Sequence, residues 1–281
     1  MRVAALLALI SSLSWGVADF TGGLAARRAG ATQVLAVSYP AGAVLITFLA
    51  IFVIPGELST DLLGISVLSG ICGSIAIALL YAALIRGQMG VVSPITAVMS
   101  GAVPVVVGLL RGEQLSSFAF VGMGLAVFAV VLVSRESAQH HGRTPLVAIG
   151  LAVAAGFAIG AYLTVIGSAP NDSGVWVASL GRWVSTVIMI AFVLVVVRSF
   201  DRTTFPWMLA IVTGILDTTA NGLFQLASQR GLLSVVAVLG SLYPVATVIL
   251  ARVVINERMN RVQGVGVIMA LSAAVLLAFN S

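Results

Sequence analysis

Long apolar runs, each followed by a short polar or charged cluster, set the pattern of this chain. A helix needs about 20 apolar residues to cross the hydrocarbon core of a bilayer. Lipid offers the backbone no hydrogen-bonding partner, so such runs form helices, and the strict alternation of a membrane barrel strand is missing here. The pattern predicts an all-α integral membrane protein with ten transmembrane helices, at about 3–24, 32–54, 62–85, 91–110, 116–134, 146–166, 175–197, 206–228, 232–253 and 262–279.

The composition excludes most soluble classes of protein. Of the 281 residues, 60% are hydrophobic and only 8% are charged. A soluble domain has about a quarter of its residues charged, and one core could not hide this much apolar surface. A soluble enzyme, a secreted disulfide scaffold, a coiled coil and a disordered chain are therefore excluded. Ten spans take roughly 200 residues, which leaves only loops and ends.

Charged and metal-binding residue types offer little other chemistry. The 14 basic residues are all arginines and are scattered, whereas nucleic-acid binding needs a clustered basic face, so no nucleic-acid partner is expected. The single cysteine, Cys72, lies within an apolar run and reads as a small buried hydrophobe. His140 and His141 have no acid or cysteine at ligand spacing, and a chain without lysine has no GxxxxGK[ST] loop. We expect no metal, no cofactor and no catalytic residue.

The chain repeats itself with a shift of 144 residues, which aligns 1–137 with 145–281 without a gap. We predict a first five-helix repeat at 1–137, a linker at 138–144 and a second repeat at 145–281. Because five is odd, the second repeat enters the membrane in the opposite orientation. Transporters use such inverted repeats to alternate access to a site at mid-membrane, although duplication is also an economical route to a large bundle. Informative identities are Gly16/Gly160, Gly70-Ile71/Gly214-Ile215, Arg86-Gly87/Arg230-Gly231, Glu113/Glu257 and Val121-Gly122/Val265-Gly266.

Several short motifs have a family resemblance. They are Ser14-Trp15-Gly16, Ser93-Pro94, Gly112-Glu113-Gln114-Leu115, Ser241-Leu242-Tyr243-Pro244 and Asn256-Glu257-Arg258-Met259. Together with the repeat, they resemble the drug/metabolite transporter superfamily, in its ten-helix branch of two EamA-type repeats. The resemblance implies a multi-pass inner-membrane carrier of small metabolites or drugs, often an exporter of amino acids. Two positions depart from that pattern: Asp19 replaces an uncharged polar residue, and Arg182 has Ser38 as its repeat counterpart.

Three ionisable residues lie well inside predicted spans, where a charge normally faces a cavity or a partner. Asp19 shares a helix face with Ser11, Ser12 and Trp15. It could contact a substrate amine or couple transport to protons, or it could reach water from a packed helix end. Arg182 needs a counter-ion, for which Asp217 and Asp19 are the candidates. Its guanidinium could bind a substrate carboxylate with two parallel hydrogen bonds, or it could form a permanent structural ion pair.

A polar stripe runs along the eighth predicted helix. Because its members recur at steps of three and four, they share one face, which must line an aqueous path or a polar seam between helices. We favour the path, with Asp217 as a second proton-coupling candidate. The stripe consists of Thr213, Asp217, Asn221, Gln225 and Ser228.

The remaining candidates are aromatic residues and prolines. Tyr39 and Trp183 are equivalent in the two repeats and could face each other across a cavity, although belt or core positions would also explain them. The prolines remove backbone hydrogen bonds and could kink gating helices. We expect Glu113 to tie its loop to a neighbouring arginine such as Arg111. The predicted substrate-binding residues are Trp15, Asp19, Tyr39, Arg182, Trp183, Asp217, Asn221, Gln225, Ser241 and Tyr243, and the predicted gating residues are Pro94, Pro104 and Pro244.

Orientation is ambiguous. Ten arginines lie on the side that follows the first, third, fifth, seventh and ninth spans, against three on the other side. The positive-inside rule then puts both termini outside, whereas the family resemblance puts them inside.

The predicted function is secondary active transport of a small amino acid-like or drug-like solute across the cytoplasmic membrane, as export driven by protons or exchange. An uncoupled channel or facilitator is the alternative, and an intramembrane enzyme would need a clustered nucleophile and base or metal ligands. The expected partners are the solute and the lipid bilayer, with the protein as a monomer or homodimer.

Overall fold

A computed structural model describes residues 2–87, 89–133, 145–196, 203–254 and 260–280. The predicted linker at 138–144, with His140 and His141, lies outside these ranges. Every regular element in the described ranges is an α-helix. The helices are α1 (Arg2–Ala29), α2 (Ala31–Phe52), α3 (Leu62–Arg86), α4 (Met89–Leu110), α5 (Ser117–Val133), α6 (Leu146–Gly167), α7 (Trp176–Val196), α8 (Trp207–Ser228), α9 (Leu233–Gly240), α10 (Tyr243–Val254) and α11 (Arg261–Asn280).

The predicted fold class is confirmed: nine of the ten predicted spans correspond to one helix each, and the ninth corresponds to a pair of helices. Eight stretches are long and apolar enough to cross a membrane: α1, α2, α3, α6, α7, α8, α9 with α10, and α11. Shorter apolar helices at Ile95–Leu110, within α4, and Ser117–Val133, which is α5, complete the ten spans.

One predicted span is not a single helix. The run at 232–253 is divided into α9 and α10 by a turn at Ser241 and Leu242. Proline has no N–H to donate, so Pro244 cannot bond the carbonyl of Gly240 four residues earlier. The neighbouring N–H groups of Leu242 and Val245 instead bond carbonyls three residues earlier, at 3.3 Å and 3.0 Å. The second predicted gating proline, Pro104, lies buried inside an unbroken α4, and Pro94 falls in the same helix.

Packing between the halves follows a two-fold relation. In the 144-residue alignment, α1 to α3 correspond to α6 to α8, α4 to the α9–α10 pair, and α5 to α11. Helix α1 packs on α8 as α6 packs on α3, and α2 packs on α8 as α7 packs on α3. Helices α2 and α7, and likewise α5 and α11, pack on their own counterparts. With five spans in each half, this symmetry gives two inverted repeats. Most of the helix packing joins a helix of one repeat to a helix of the other.

Glycines at equivalent positions make the same close contacts. A methyl group added at Gly122 in α5 would meet Leu277 in α11, and one added at Gly266 in α11 would meet Val133 in α5. Residues 133 and 277 are themselves 144 apart, so both contacts belong to one symmetric crossing. The small residues let the two helix backbones approach closely, which drives helix association in lipid.

The end of the bundle at which α1 begins is closed by its loops. We call it the N-terminal end; its loops are 53–61, 111–116, 168–175 and 229–232. The Glu57 N–H donates to the Asp172 carbonyl at 2.8 Å, and the Trp176 indole N–H donates to the Gly56 carbonyl at 3.3 Å. The Gln229 amide also donates to the Pro170 carbonyl at 3.0 Å. The loops at 53–61 and 168–175, one from each repeat, thus hold the two repeats together at this end.

Candidate substrate site

A cavity of about 180 Å³ lies between the two repeats, around the middle of the spans. Helices from both repeats contribute to its wall, because α1, α2 and α3 pack against α6, α7 and α8. The turn between α9 and α10 also reaches it. The lining residues are Trp15, Asp19, Tyr39, Gly73, Ala76, Ile77, Leu80, Ser100, Ile159, Tyr162, Leu163, Gly181, Arg182, Ser185, Asp217, Asn221, Gly240, Ser241 and Tyr243.

An ion pair joins two helices on one side of the cavity. The Arg182 guanidinium on α7 donates to the Asp217 carboxylate on α8. The guanidinium also lies 4.8 Å from the ring centroid of Tyr39 on α2, within the range of a cation–π interaction. The Arg182 side chain is 9% exposed and the Asp217 side chain 33% exposed, so the acid still faces the open volume. Arg182 therefore has the counter-ion that its place in a membrane span requires.

Asp19 lines the same cavity without such a partner. Among the described residues it makes no hydrogen bond or ion pair, and its side chain is exposed to the cavity. Trp15 lies one helical turn before it on α1 and lines the cavity too. Asp217 lines this cavity as well. The cavity thus holds two carboxylates and one guanidinium, of which one carboxylate is unpaired.

A hydrogen-bonded chain joins α6 to α8 beside the ion pair. The Tyr162 hydroxyl on α6 donates to the Asn221 side-chain oxygen at 2.6 Å, and the Asn221 amide donates to the Asp217 backbone carbonyl at 2.7 Å. Both the oxygen and the nitrogen of the Asn221 side-chain amide therefore form hydrogen bonds in this chain. The chain satisfies these polar groups at membrane depth and makes this part of the cavity wall rigid.

The broken helix completes the wall. Gly240 and Ser241 at the turn and Tyr243 at the start of α10 all face the cavity. The Ser241 hydroxyl donates to the Val238 carbonyl at 2.8 Å, which satisfies one carbonyl at the end of α9. Irregular backbone at membrane depth is tolerated where it lines a cavity, and discontinuous helices are common at transporter sites.

Comparison with known proteins identifies the family. The EamA-like transporter family matches residues 2–135 and 146–279, which is nearly the whole chain. The chain belongs to the EamA-like transporter family. The assignment indicates a membrane transporter of small solutes, and it confirms the family resemblance of the motifs. No match was found among curated proteins.

A solved structure confirms the fold of this EamA-like chain. It is described only as a crystal structure of a protein, and it aligns with a TM-score of 0.78. The alignment covers 97% of this chain and 95% of that one, at 16% sequence identity. At that identity the likeness concerns the fold alone.

The structure brings together most residues that the sequence singled out in this EamA-like chain. Eight of the ten predicted binding residues line the cavity, namely Trp15, Asp19, Tyr39, Arg182, Asp217, Asn221, Ser241 and Tyr243. Their role in binding a solute stays a prediction. Two of the ten, Trp183 and Gln225, lie elsewhere.

Trp183 does not form the expected second aromatic wall. It follows Arg182 directly, so the helix turns it about 100° away from the cavity. Its side chain is 39% exposed, and its indole N–H donates to the Thr47 hydroxyl at 2.9 Å. Only Tyr39 of this equivalent pair faces the cavity.

Gln225 is a structural residue at the closed N-terminal end. Its side chain is fully buried, accepts the Ala178 N–H at 2.8 Å and donates to the Gly174 carbonyl at 2.8 Å. The polar stripe on α8 is therefore an open path only in its middle. At its other end Thr213 lies in a seam, where its hydroxyl is 2.9 Å from that of Thr21 on α1.

Glu113 caps a helix instead of pairing with the neighbouring Arg111. Its carboxylate accepts the N–H groups of Leu233 at 2.7 Å and Ser234 at 3.1 Å, at the start of α9. These N–H groups have no partner inside the helix, and negative charge is favourable at a helix N-terminus. Arg111 donates instead to the Ser168 hydroxyl at 2.7 Å.

The sequence reasoning missed one group of residues in the cavity wall. Tyr162, Ser100 and Ser185 line the cavity, and Tyr81 is near enough to interact electrostatically with Asp19 and Asp217. The rarity of tyrosine was a usable signal, because all four tyrosines of the chain gather around this cavity. Serines are too common in membrane spans to give a signal of their own.

Proposed function

We propose that this protein is a secondary active transporter that exports a small metabolite across the cytoplasmic membrane, by proton coupling or exchange. The observation that carries the proposal is a polar cavity between two inverted repeats, with an ion pair and an unpaired acid in its wall. Transporters built from inverted repeats hold their solute at this position and expose it to each side in turn.

The size of the cavity favours a metabolite over a bulky drug. The cavity has a volume of about 180 Å³. Drug-sized ligands occupy pockets of about 300–1,000 Å³. A solute with one small ring or a short chain matches the available space, and the aromatic wall favours a partly apolar body.

The closed N-terminal end supports a carrier over an uncoupled channel. A channel needs a path that is open at both ends, whereas here hydrogen bonds from Glu57 to Asp172 and from Trp176 to Gly56 join the two repeats at the N-terminal end. Transport through this molecule then requires these bonds to break. The inverted repeat offers an equivalent set of helices to close the opposite end.

The acids in the cavity are the proposed proton carriers. A bound proton removes the charge of Asp19 or Asp217 and so changes what the cavity can bind and how strongly the Arg182 pair holds. Coupling through Asp217 would link proton binding to an ion pair between α7 and α8. Coupling through Asp19 would leave that pair intact.

Transport by the purified protein in lipid vesicles tests the proposal. Vesicles loaded with phenylalanine, phenethylamine or adenine are diluted into trace radiolabelled solute, with and without an imposed pH gradient. We expect counterflow of at least one solute and acceleration by the gradient. The Asp217→Asn variant should lose the pH-driven component, and Asp61→Asn, at an exposed loop acid, should keep it.

Unaltered pH-driven transport by Asp217→Asn would remove Asp217 from coupling, and the same result for Asp19→Asn would mean that another group carries the proton. A lack of any pH-driven component in the unmodified protein would leave exchange as the driving force. Solute-independent conductance without counterflow would favour the uncoupled channel.

A further inference from the structure

Resting on the proposed function, we propose that the transported solute is a small organic cation, whose ammonium group binds Asp19 while its apolar body lies against the tyrosine and tryptophan wall. The substrate class follows from the balance of charge in the cavity and from the chemistry of its wall.

The balance of charge is negative. The ionisable acids and bases that line the cavity are Asp19, Asp217 and Arg182. Arg182 is already engaged by the Asp217 carboxylate and by the Tyr39 ring. Asp19 therefore has no cation to neutralise it among the described residues. An acid at membrane depth is stabilised by a partner, and a cationic solute supplies the one that the protein lacks.

The wall around Asp19 is aromatic. Trp15 lies one helical turn away on α1, and Tyr39, Tyr162 and Tyr243 close the cavity from three other helices. The negative faces of such rings attract ammonium groups, and aromatic cages of this kind recognise alkylated amines. The Asp19 carboxylate and the aromatic rings of the wall would thus bind the same cationic group of the solute.

The charged groups of the cavity are less favourable for binding an anionic or zwitterionic solute. A carboxylate that binds Arg182 would compete with the Asp217 carboxylate, which already accepts a hydrogen bond from the guanidinium. Displacement of Asp217 from Arg182 would leave the carboxylates of Asp19 and Asp217 both unpaired beside the bound solute. The same argument disfavours a simple amino acid, whose carboxylate would need the occupied guanidinium.

Binding of a matched series of solutes to the purified full-length protein tests the inference by isothermal titration calorimetry. The series holds the ring constant and changes the charge: phenethylamine is cationic, 2-phenylethanol neutral, 3-phenylpropionate anionic and phenylalanine zwitterionic. We expect phenethylamine to bind at least about tenfold more tightly than 2-phenylethanol, as for a charged hydrogen-bonded contact. Asp19→Asn should remove this advantage, Asp19→Glu should restore part of it, and Asp61→Asn should leave it unchanged.

The outcomes separate this inference from the proposed function. Equal binding of amine and alcohol, or an advantage that survives Asp19→Asn, overturns the cation assignment. Tighter binding of phenylalanine overturns it in favour of a zwitterion. If Asp19→Asn does not fold, the comparison of amine with alcohol on the unmodified protein decides. Counterflow of another solute without amine binding would leave the transporter standing, and amine binding without any counterflow would refute transport alone.

Discussion

Removing both members of the ion pair between Arg182 and Asp217 should destabilise the protein by much less than the sum of the two single losses. Breaking a buried pair leaves an uncompensated charge and costs about 3–5 kcal/mol. Asp217→Asn leaves a guanidinium whose side chain is only 9% exposed. The Tyr39 ring compensates part of that charge, so we expect a loss of about 3 kcal/mol.

The opposite single change should cost less. Arg182→Gln leaves Asp217, whose side chain is 33% exposed to the cavity and can be hydrated there. We expect a loss of about 2 kcal/mol, between the values for exposed and buried pairs. The double variant has neither charge, so its loss should stay near 2 kcal/mol, about 3 kcal/mol below the sum of the single losses.

Unfolding of the purified variants in mixed detergent micelles, followed by circular dichroism, measures these differences. Arg230→Gln, at an exposed arginine near the N-terminal end, is the matched control and should change little. A double variant as unstable as the sum of the two single variants would refute the reasoning, because each charge would then act on a different partner. Transport by the double variant adds a second test: a folded but inactive protein would show that the pair serves transport beyond stability.

Three further predictions concern the scaffold. Glu113→Gln should weaken the cap of α9 and cost about 1 kcal/mol, whereas Glu57→Gln at an exposed loop position should not, and denaturation midpoints compare the two. Gly266→Ala should lower the denaturation midpoint by forcing α5 and α11 apart, while Gly264→Ala, which meets no neighbour, should not lower it; equal effects would contradict the close crossing. Gln225→Leu should speed hydrogen exchange in the loop between α6 and α7, since it removes the amide that holds that loop, and unchanged exchange in mass spectrometry would show that other bonds close this end.

The spans, the repeat and the charged centre could be predicted from the sequence because each depends on a strong local rule. Lipid forces apolar runs into helices, and membrane charges into cavities or pairs. Arg182 had only two possible counter-ions within spans, and the structure selects Asp217. Asp19 stood out because it departs from the family pattern, and the structure places it beside the same cavity.

Other features depend on packing that no local pattern reports. Trp183 looked equivalent to Tyr39, but equivalent positions in two repeats need not have equivalent surroundings once the neighbouring residues differ. Gln225 shared a helix face with Asp217, yet the loop between α6 and α7 covers that end of the face. The turn at Ser241 could have been inferred from Pro244, although Pro104 lies in a helix that continues unbroken.

The symmetry of the scaffold and the asymmetry of its chemistry have a common cause. Helices α2 and α7 pack on each other across the two-fold axis, so charges kept at both equivalent positions would face their own kind. An arginine at 38 as well as at 182 would place two guanidiniums on helices that pack on each other, where like charges repel. Ser38 instead is buried against α8, and its backbone lies next to Gly214. Duplication thus supplies two sets of helices that can close opposite ends, and divergence at a few positions supplies a single charged site between them.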